Sequence, residues 1–194
     1  MATKRYDNID RFLQYDVDVD NRLVILGNLP DDSLESTRSM TTIKNLRVLD
    51  SLAPNGDKPI TIIMNHLGGD VNENMAIFDA IKACNNSVTI EVYGCAMSMG
   101  SIILQAADER ILAPNAKLML HYGEIGLEDH VKNVERALEE NRKYDKWMED
   151  LYLERIRENK PKFTRAQLKK LIQFDYYISA EEAVAYGLAD AILD

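Results

Sequence analysis

Cysteine is scarce. The chain has two, Cys84 and Cys95, too few for a disulfide framework and without the spacing of a zinc site. Both lie in apolar stretches that predict buried thiols, which fits a reducing, cytoplasmic setting. No run approaches the ~20 apolar residues of a membrane span. Met1 to Asp10 is polar and carries no apolar signal-peptide run. Internal repeats and low-complexity linkers are absent. Positive charge is in deficit, with 23 Lys and Arg against 32 Asp and Glu, a net charge of −9. Such a surface repels phosphate backbones and argues against nucleic acid as a partner. Histidine is limited to His66, His121 and His130, so few groups could act as a general base near neutral pH.

What remains is an ordinary globular composition, 46% hydrophobic and 28% charged over 194 residues, enough for one domain with a sizeable core. Residues 1–20 read as an N-terminal segment, partly flexible, and 21–194 as one domain. Apolar β-rich runs alternate with helical patterns. Strands are expected over Arg22–Leu26, Ile60–Met64, Ser87–Tyr93 and Ala116–Leu120. Helices are expected over Asp31–Leu52 and Asn72–Cys84, and over Ser98–Ala107, which is uncharged and should be buried all round. A long amphipathic segment runs from about Glu128 to Glu158. It reads either as a projecting element that mediates assembly or as a solvated helix with one core stripe. Thr164-Arg165-Ala166-Gln167 and Ser179-Ala180-Glu181-Glu182 are capping boxes that start two short helices, the second closed by Gly187. The alternation implies right-handed βαβ crossovers and a mainly parallel sheet.

Three features carry chemistry. The segment Gly94-Cys95-Ala96-Met97-Ser98-Met99-Gly100 links a strand to the apolar helix. It puts Ser98 at a helix N-terminus, where free N–H groups favour developing negative charge. Taken alone, Ser98 reads first as an ordinary N-cap. Gly68-Gly69 follows the strand Ile60–Met64 and could expose backbone N–H groups to a ligand, or simply turn the chain. The two turns fall at the same end of a parallel sheet, where α/β sites lie. His121 ends the strand Ala116–Leu120 and could supply the base that a serine hydroxyl needs. His66 beside the glycines is its rival, and His130 is expected at the surface.

Together these residues resemble the Clp proteolytic subunit family, ClpP. The likeness runs from about Leu23 to the C-terminus. It is strongest in GCAMSMGS around Ser98, in LAPNAKLMLH ending at His121, and in DYYISAEEA from Asp175, followed by Tyr186-Gly187-Leu188. The resemblance implies a ClpP/crotonase-like α/β fold of repeated β-β-α units with a long projecting helix. It implies peptide hydrolysis by Ser98 as nucleophile, His121 as base and Asp175 as orienting acid, with the Gly69 and Met99 N–H groups as oxyanion hole. It also implies no metal or organic cofactor, a peptide or unfolded protein as substrate, and a homo-oligomeric ring, heptameric or of stacked heptamers.

Departures from the family pattern bear on partners. Leu67 stands where the family carries Pro, Asp70 replaces an apolar residue, and Phe174 replaces an arginine of an inter-ring ion pair. The Gly/Gln-rich strand after His121 is largely missing. Positions that hold aromatics for docking an ATPase unfoldase align with Thr61, Ile63 and Ala83, and the axial apolar loop is not recognisable, so a standard unfoldase is not expected to dock productively. Such departures resemble divergent relatives, among them phage-associated ones. Three alternatives remain at this level. They are a crotonase-type acyl-CoA hydratase or isomerase, a Ser–Lys dyad using Lys117, and a catalytically silent ring subunit.

Overall fold

The computed structural model describes residues 2–27 and 35–194. Its elements, in chain order, are α1 (Ala2–Tyr15), β1 (Val17–Asp18), β2 (Leu23–Gly27), α2 (Glu35–Ser51), β3 (Ile60–His66), α3 (Val71–Lys82), β4 (Val88–Met97), α4 (Met99–Leu104), β5 (Glu109–Leu112), β6 (Lys117–Leu120), α5 (Val131–Asn159), α6 (Arg165–Leu171), β7 (Tyr176–Ser179), α7 (Ala180–Tyr186) and β8 (Ala191–Ile192). The expected α/β fold with a mainly parallel sheet is present. Strands β2, β3, β4, β5 and β8 run parallel in that spatial order. Antiparallel pairing joins β1 to β2 and β6 to β7.

The strands show why they form. In β3, Ile60, Ile62, Met64 and His66 are buried while Thr61 and Ile63 are half-buried and Asn65 is exposed, the two-residue alternation of a sheet covered on one face. The strand is therefore not enclosed on both sides. The core lies on the other face, where Ile60, Ile62, Met64, Ile90, Val92 and Leu118 meet Leu46 and Leu49 of α2, Ile77 of α3 and Ile102–Leu104 of α4.

Several boundaries differ from the sequence reading. Helix α2 is described from Glu35, and residues 31–34 of the expected helix lie outside the described residues. Its buried side is largely polar: Ser39, Thr42, Asn45 and Asp50 face inward, and Met40 is exposed. Asp50 accepts the backbone N–H groups of Asn85 and Asn86, which offsets the cost of its burial. The stretch Gly94–Met97 is strand, not turn: β4 continues through it, with an irregularity where its register to β3 shifts between Met64 and His66. The short strands β1, β5, β7 and β8 and the helix α1 were not anticipated. Both capping boxes form as read, at Thr164 and Ser179, and Gly187 closes α7 in the left-handed conformation. Among the described residues no helix is long and apolar enough to cross a membrane.

Strand β4 positions the site. Its first half, Thr89–Val92, pairs with β5, and its second half, Cys95–Met97, pairs with β6. The sheet therefore forks at Gly94, and β6 brings its own neighbour β7 to the end of β4.

Candidate active site

Ser98 occupies the single residue between β4 and α4. Its backbone has φ +50° and ψ −121°, a region that costs a non-glycine residue about 1–3 kcal/mol and clusters at functional sites. The strain is held by neighbours. The Ser98 N–H donates to Met119 O at 2.8 Å. The Ser101 hydroxyl donates to Ser98 O at 2.6 Å and so must accept from Tyr152, whose hydroxyl lies 2.7 Å away. All six residues of α4 are buried. Ser98 sits at the N-cap position but makes no side-chain cap. Its Oγ instead lies 2.8 Å from His121 Nε2.

Strand register brings the histidine there. Met97 pairs with Met119 in the parallel β4–β6 ladder, so His121, just past the end of β6, stands beside Ser98. The antiparallel β6–β7 ladder pairs Leu120 with Tyr176. Its next step sets His121 opposite Asp175. His121 Nδ1 is 3.1 Å from Asp175 Oδ1. A carboxylate only accepts, so Nδ1 carries the imidazole proton and Nε2 is free to accept the Ser98 hydroxyl proton. The Asp175 side chain is 54% exposed and also accepts from the Tyr177 hydroxyl at 3.4 Å.

The glycine turn closes on the same point. Gly68 and Gly69 have φ of +113° and +134°, which only glycine adopts at little cost. A Cβ on Gly68 would stand 2.7 Å from Ser98 Cβ and 3.2 Å from its Oγ. Asp70, the departure after the glycines, caps α3 by accepting the Glu73 N–H at 3.0 Å. Ser98, Met99, Gly69 and His121 line one cleft of about 220 Å³. Its apolar wall includes Ile102 from α4 and Tyr144 and Met148 from α5. The Tyr144 hydroxyl contacts Met99 Sδ at 2.9 Å, and burial pushes its pKa up, so it stays protonated.

The other candidates fall elsewhere. Lys117 is exposed, pairs with Cys95 and Ser179, and does not line the cleft. His130 caps α5, its ring accepting the Lys132 N–H at 3.3 Å. His66 is 1% exposed and accepts the Gly68 N–H, so it supports the turn and does not meet Ser98 as a base. Sequence reasoning missed the roles of Tyr144, Met148 and Tyr152. The signal was their i, i+4, i+8 spacing, one stripe of α5. Tyr122, next to His121, was also missed. It donates to Glu149 at 2.6 Å, and Glu149 accepts from Arg165 at 2.6 Å, tying the segment after His121 to α5 and α6. On the uncovered sheet face, Thr61 and Ile63 are half-buried, and Ala83 is exposed at the end of α3. Tyr93 there donates to Glu91 at 3.2 Å. Phe174 is 78% exposed.

Residues 14–194 match the family model for Clp protease. The chain belongs to the Clp protease family. It is 30% identical over 196 residues to the ATP-dependent Clp protease proteolytic subunit of Deinococcus radiodurans, spanning 98% of this chain and 86% of that one. It is likewise 30% identical over 197 residues to the ATP-dependent Clp protease proteolytic subunit 1 of Chlamydia muridarum, spanning 100% of this chain and 94% of that one. Membership of the Clp protease family accounts for the parallel sheet with its long helix α5, and it supports serine-peptidase chemistry in general terms.

Proposed function

We propose that the chain is a serine endopeptidase in which Ser98 is the nucleophile, His121 the general base and Asp175 the acid that orients it. The observation that carries this reading is the continuous hydrogen-bonded line from Asp175 through His121 to Ser98, ending on a strained residue at a helix N-terminus. In the first step His121 Nε2 takes the Ser98 proton as Oγ attacks the scissile carbonyl carbon. The carbonyl oxygen becomes an oxyanion and receives hydrogen bonds from the Met99 and Gly69 N–H groups. His121 then returns the proton to the leaving amine, which departs and leaves an acyl-enzyme. A water, deprotonated by His121, hydrolyses that ester and regenerates Ser98. Asp175 keeps the proton of neutral His121 on Nδ1 and stabilises the imidazolium that forms twice per cycle. The cleft wall of Ile102, Met148 and Tyr144 suits an apolar side chain of a peptide or unfolded protein.

The same reading includes assembly into a homo-oligomeric ring, a heptamer or stacked heptamers, in the cytoplasm. Exposed Ile125, Leu127, Val131 and Leu138, together with the uncovered sheet face, support it. Helix α5 has no buried residue before Met148, which leaves its first half available for such contacts.

The test is active-site labelling with a fluorophosphonate, followed by native mass measurement of the labelled species. A single adduct on Ser98, lost in Ser98→Ala together with peptide cleavage, is expected. An adduct elsewhere, or cleavage retained in Ser98→Ala, overturns the catalytic assignment. A labelled, active monomer overturns the ring.

A further inference from the structure

His66 is a buried histidine that the proposed chemistry does not use. It ends β3 and is 1% exposed. Its Nδ1 accepts the Gly68 N–H at 3.1 Å. An acceptor at Nδ1 requires the neutral ring with its proton on Nε2. Burial, reinforced by the charge of Arg38, lowers the pKa to about 4, so this acceptor persists at neutral pH.

The ring touches both halves of the oxyanion site. On one side it holds the turn Gly68–Gly69. On the other it meets the first turn of α4. A Cβ on Gly100 would stand 2.8 Å from His66 O, 3.1 Å from its Cβ and 3.3 Å from its Nδ1. Two consecutive glycines have more backbone freedom than any other pair. Here one of them is tied to a side chain that also seats the helix carrying Met99. Gly68 in turn lies against Ser98.

We propose that His66 is a positioning residue whose Nδ1 locks the Gly68–Gly69 turn against the first turn of α4, aiming the Gly69 and Met99 N–H groups at one point. This rests on the reading of Ser98 as nucleophile. The role predicts an effect confined to the tetrahedral state, because misaimed donors weaken transition-state binding and leave ground-state binding intact.

Three variants separate positioning from packing. His66→Asn keeps an acceptor close to the place of Nδ1. His66→Leu fills the space without one. His66→Gln places its amide further out, near Nε2, and serves if the leucine variant does not fold. His66→Leu or His66→Gln is expected to lower kcat on a short peptide by roughly 10–100-fold, short of the full loss of one oxyanion donor, with KM within about 2-fold. Affinity for a peptidyl boronate, a tetrahedral mimic, falls in step. His66→Asn restores most of both. An unchanged kcat in His66→Leu, or equal losses in all three variants, overturns the role. Amide exchange over Gly68–Gly69 reads the lock without catalysis. It accelerates in His66→Leu and His66→Gln and stays near wild type in His66→Asn, and uniform exchange across the set also overturns the role. A wild-type chain that cleaves no peptide and takes no fluorophosphonate removes the peptidase reading, while exchange still decides whether His66 holds the turn.

Discussion

Acidification should weaken this fold through His66, by an amount the structure sets. In the unfolded chain the ring binds a proton with a pKa near 6.5. In the fold, burial first and the charge of Arg38 second lower it to about 4. The unfolded state therefore gains a proton first as pH falls. Stability from this group is complete above pH 6.5, declines between 6.5 and about 4, and changes no further below. At pH 4.5 the loss amounts to about 2.5 kcal/mol, and across the whole window to about 3 kcal/mol. That is a large share of the ~5–15 kcal/mol typical of a domain. The assay is urea unfolding at pH 7.5 and pH 4.5 for wild type and His66→Asn, at one protein concentration because assembly adds its own stabilisation. Carboxylates also titrate in this range, but they are common to both proteins and cancel in the difference. Wild type is expected to lose about 2.5 kcal/mol more than His66→Asn between the two pH values. Equal losses would show that the ring is hydrated or already charged in the fold, and would refute the reasoning.

Other perturbations follow from the same geometry. Asp175→Asn should lower kcat by roughly 10³-fold or more with KM little changed, because the wrong histidine tautomer is favoured; peptide kinetics within tenfold of wild type would remove Asp175 from the mechanism. Gly68→Ala places a methyl 2.7 Å from Ser98 Cβ at a backbone angle alanine avoids, so peptide turnover and fluorophosphonate labelling should both nearly vanish, and normal labelling would contradict the close approach. Asp190→Ala removes the carboxylate from the Arg110 guanidinium, which is 3% exposed and paired at 2.6 Å, and should cost about 3–5 kcal/mol in chemical denaturation; a loss under about 1 kcal/mol would mean that the Gln105 side chain and the Gly187 carbonyl, which also accept from it, hold the charge unaided. Because the likeness to Clp subunits aligns Thr61, Ile63 and Ala83 with the docking aromatics, and Glu91 lies beside Ile63, mixing the protein with a standard Clp unfoldase, ATP and a tagged folded substrate should give no ATP-dependent degradation; its appearance would show that docking survives by other residues.

How far the sequence discloses this structure varies with the kind of contact involved. Local signals are legible. Thr164 and Ser179 carry their capping partners three residues ahead, and both boxes form. Apolar runs locate β2, β3, β4 and β6. Ser98 and His121 can be picked out as candidates because one follows a small-residue segment and the other ends a strand. Asp175 cannot be singled out from the residues alone among 32 acids, and only the likeness to Clp subunits names it. Its place opposite His121 depends on the β6–β7 register, a long-range pairing with no local mark. β7 itself is a short half-exposed strand between two helices, too brief for periodicity to detect. The buried side of α2 is hidden for another reason. Ser39, Thr42, Asn45 and Asp50 face inward as hydrogen-bonding groups beside Leu46 and Leu49, so a hydrophobic pattern marks only part of the buried face. His66 looked like a rival base because its burial and its bond to Gly68 are properties of the fold.

The pairing of β7 with β6 also sets the order in which a newly made chain acquires its parts. Ribosomes release a protein from its N-terminal end, so Ser98 and His121 emerge long before Asp175. In the proposed mechanism, until β7 reaches β6 the imidazole lacks its orienting carboxylate, and the unfinished protein carries a serine without an effective base. Asp175 arrives with the strand that extends one branch of the fork. On that reading, a chain still leaving the ribosome, with unfolded segments of its own and its neighbours within reach, does not yet cut them.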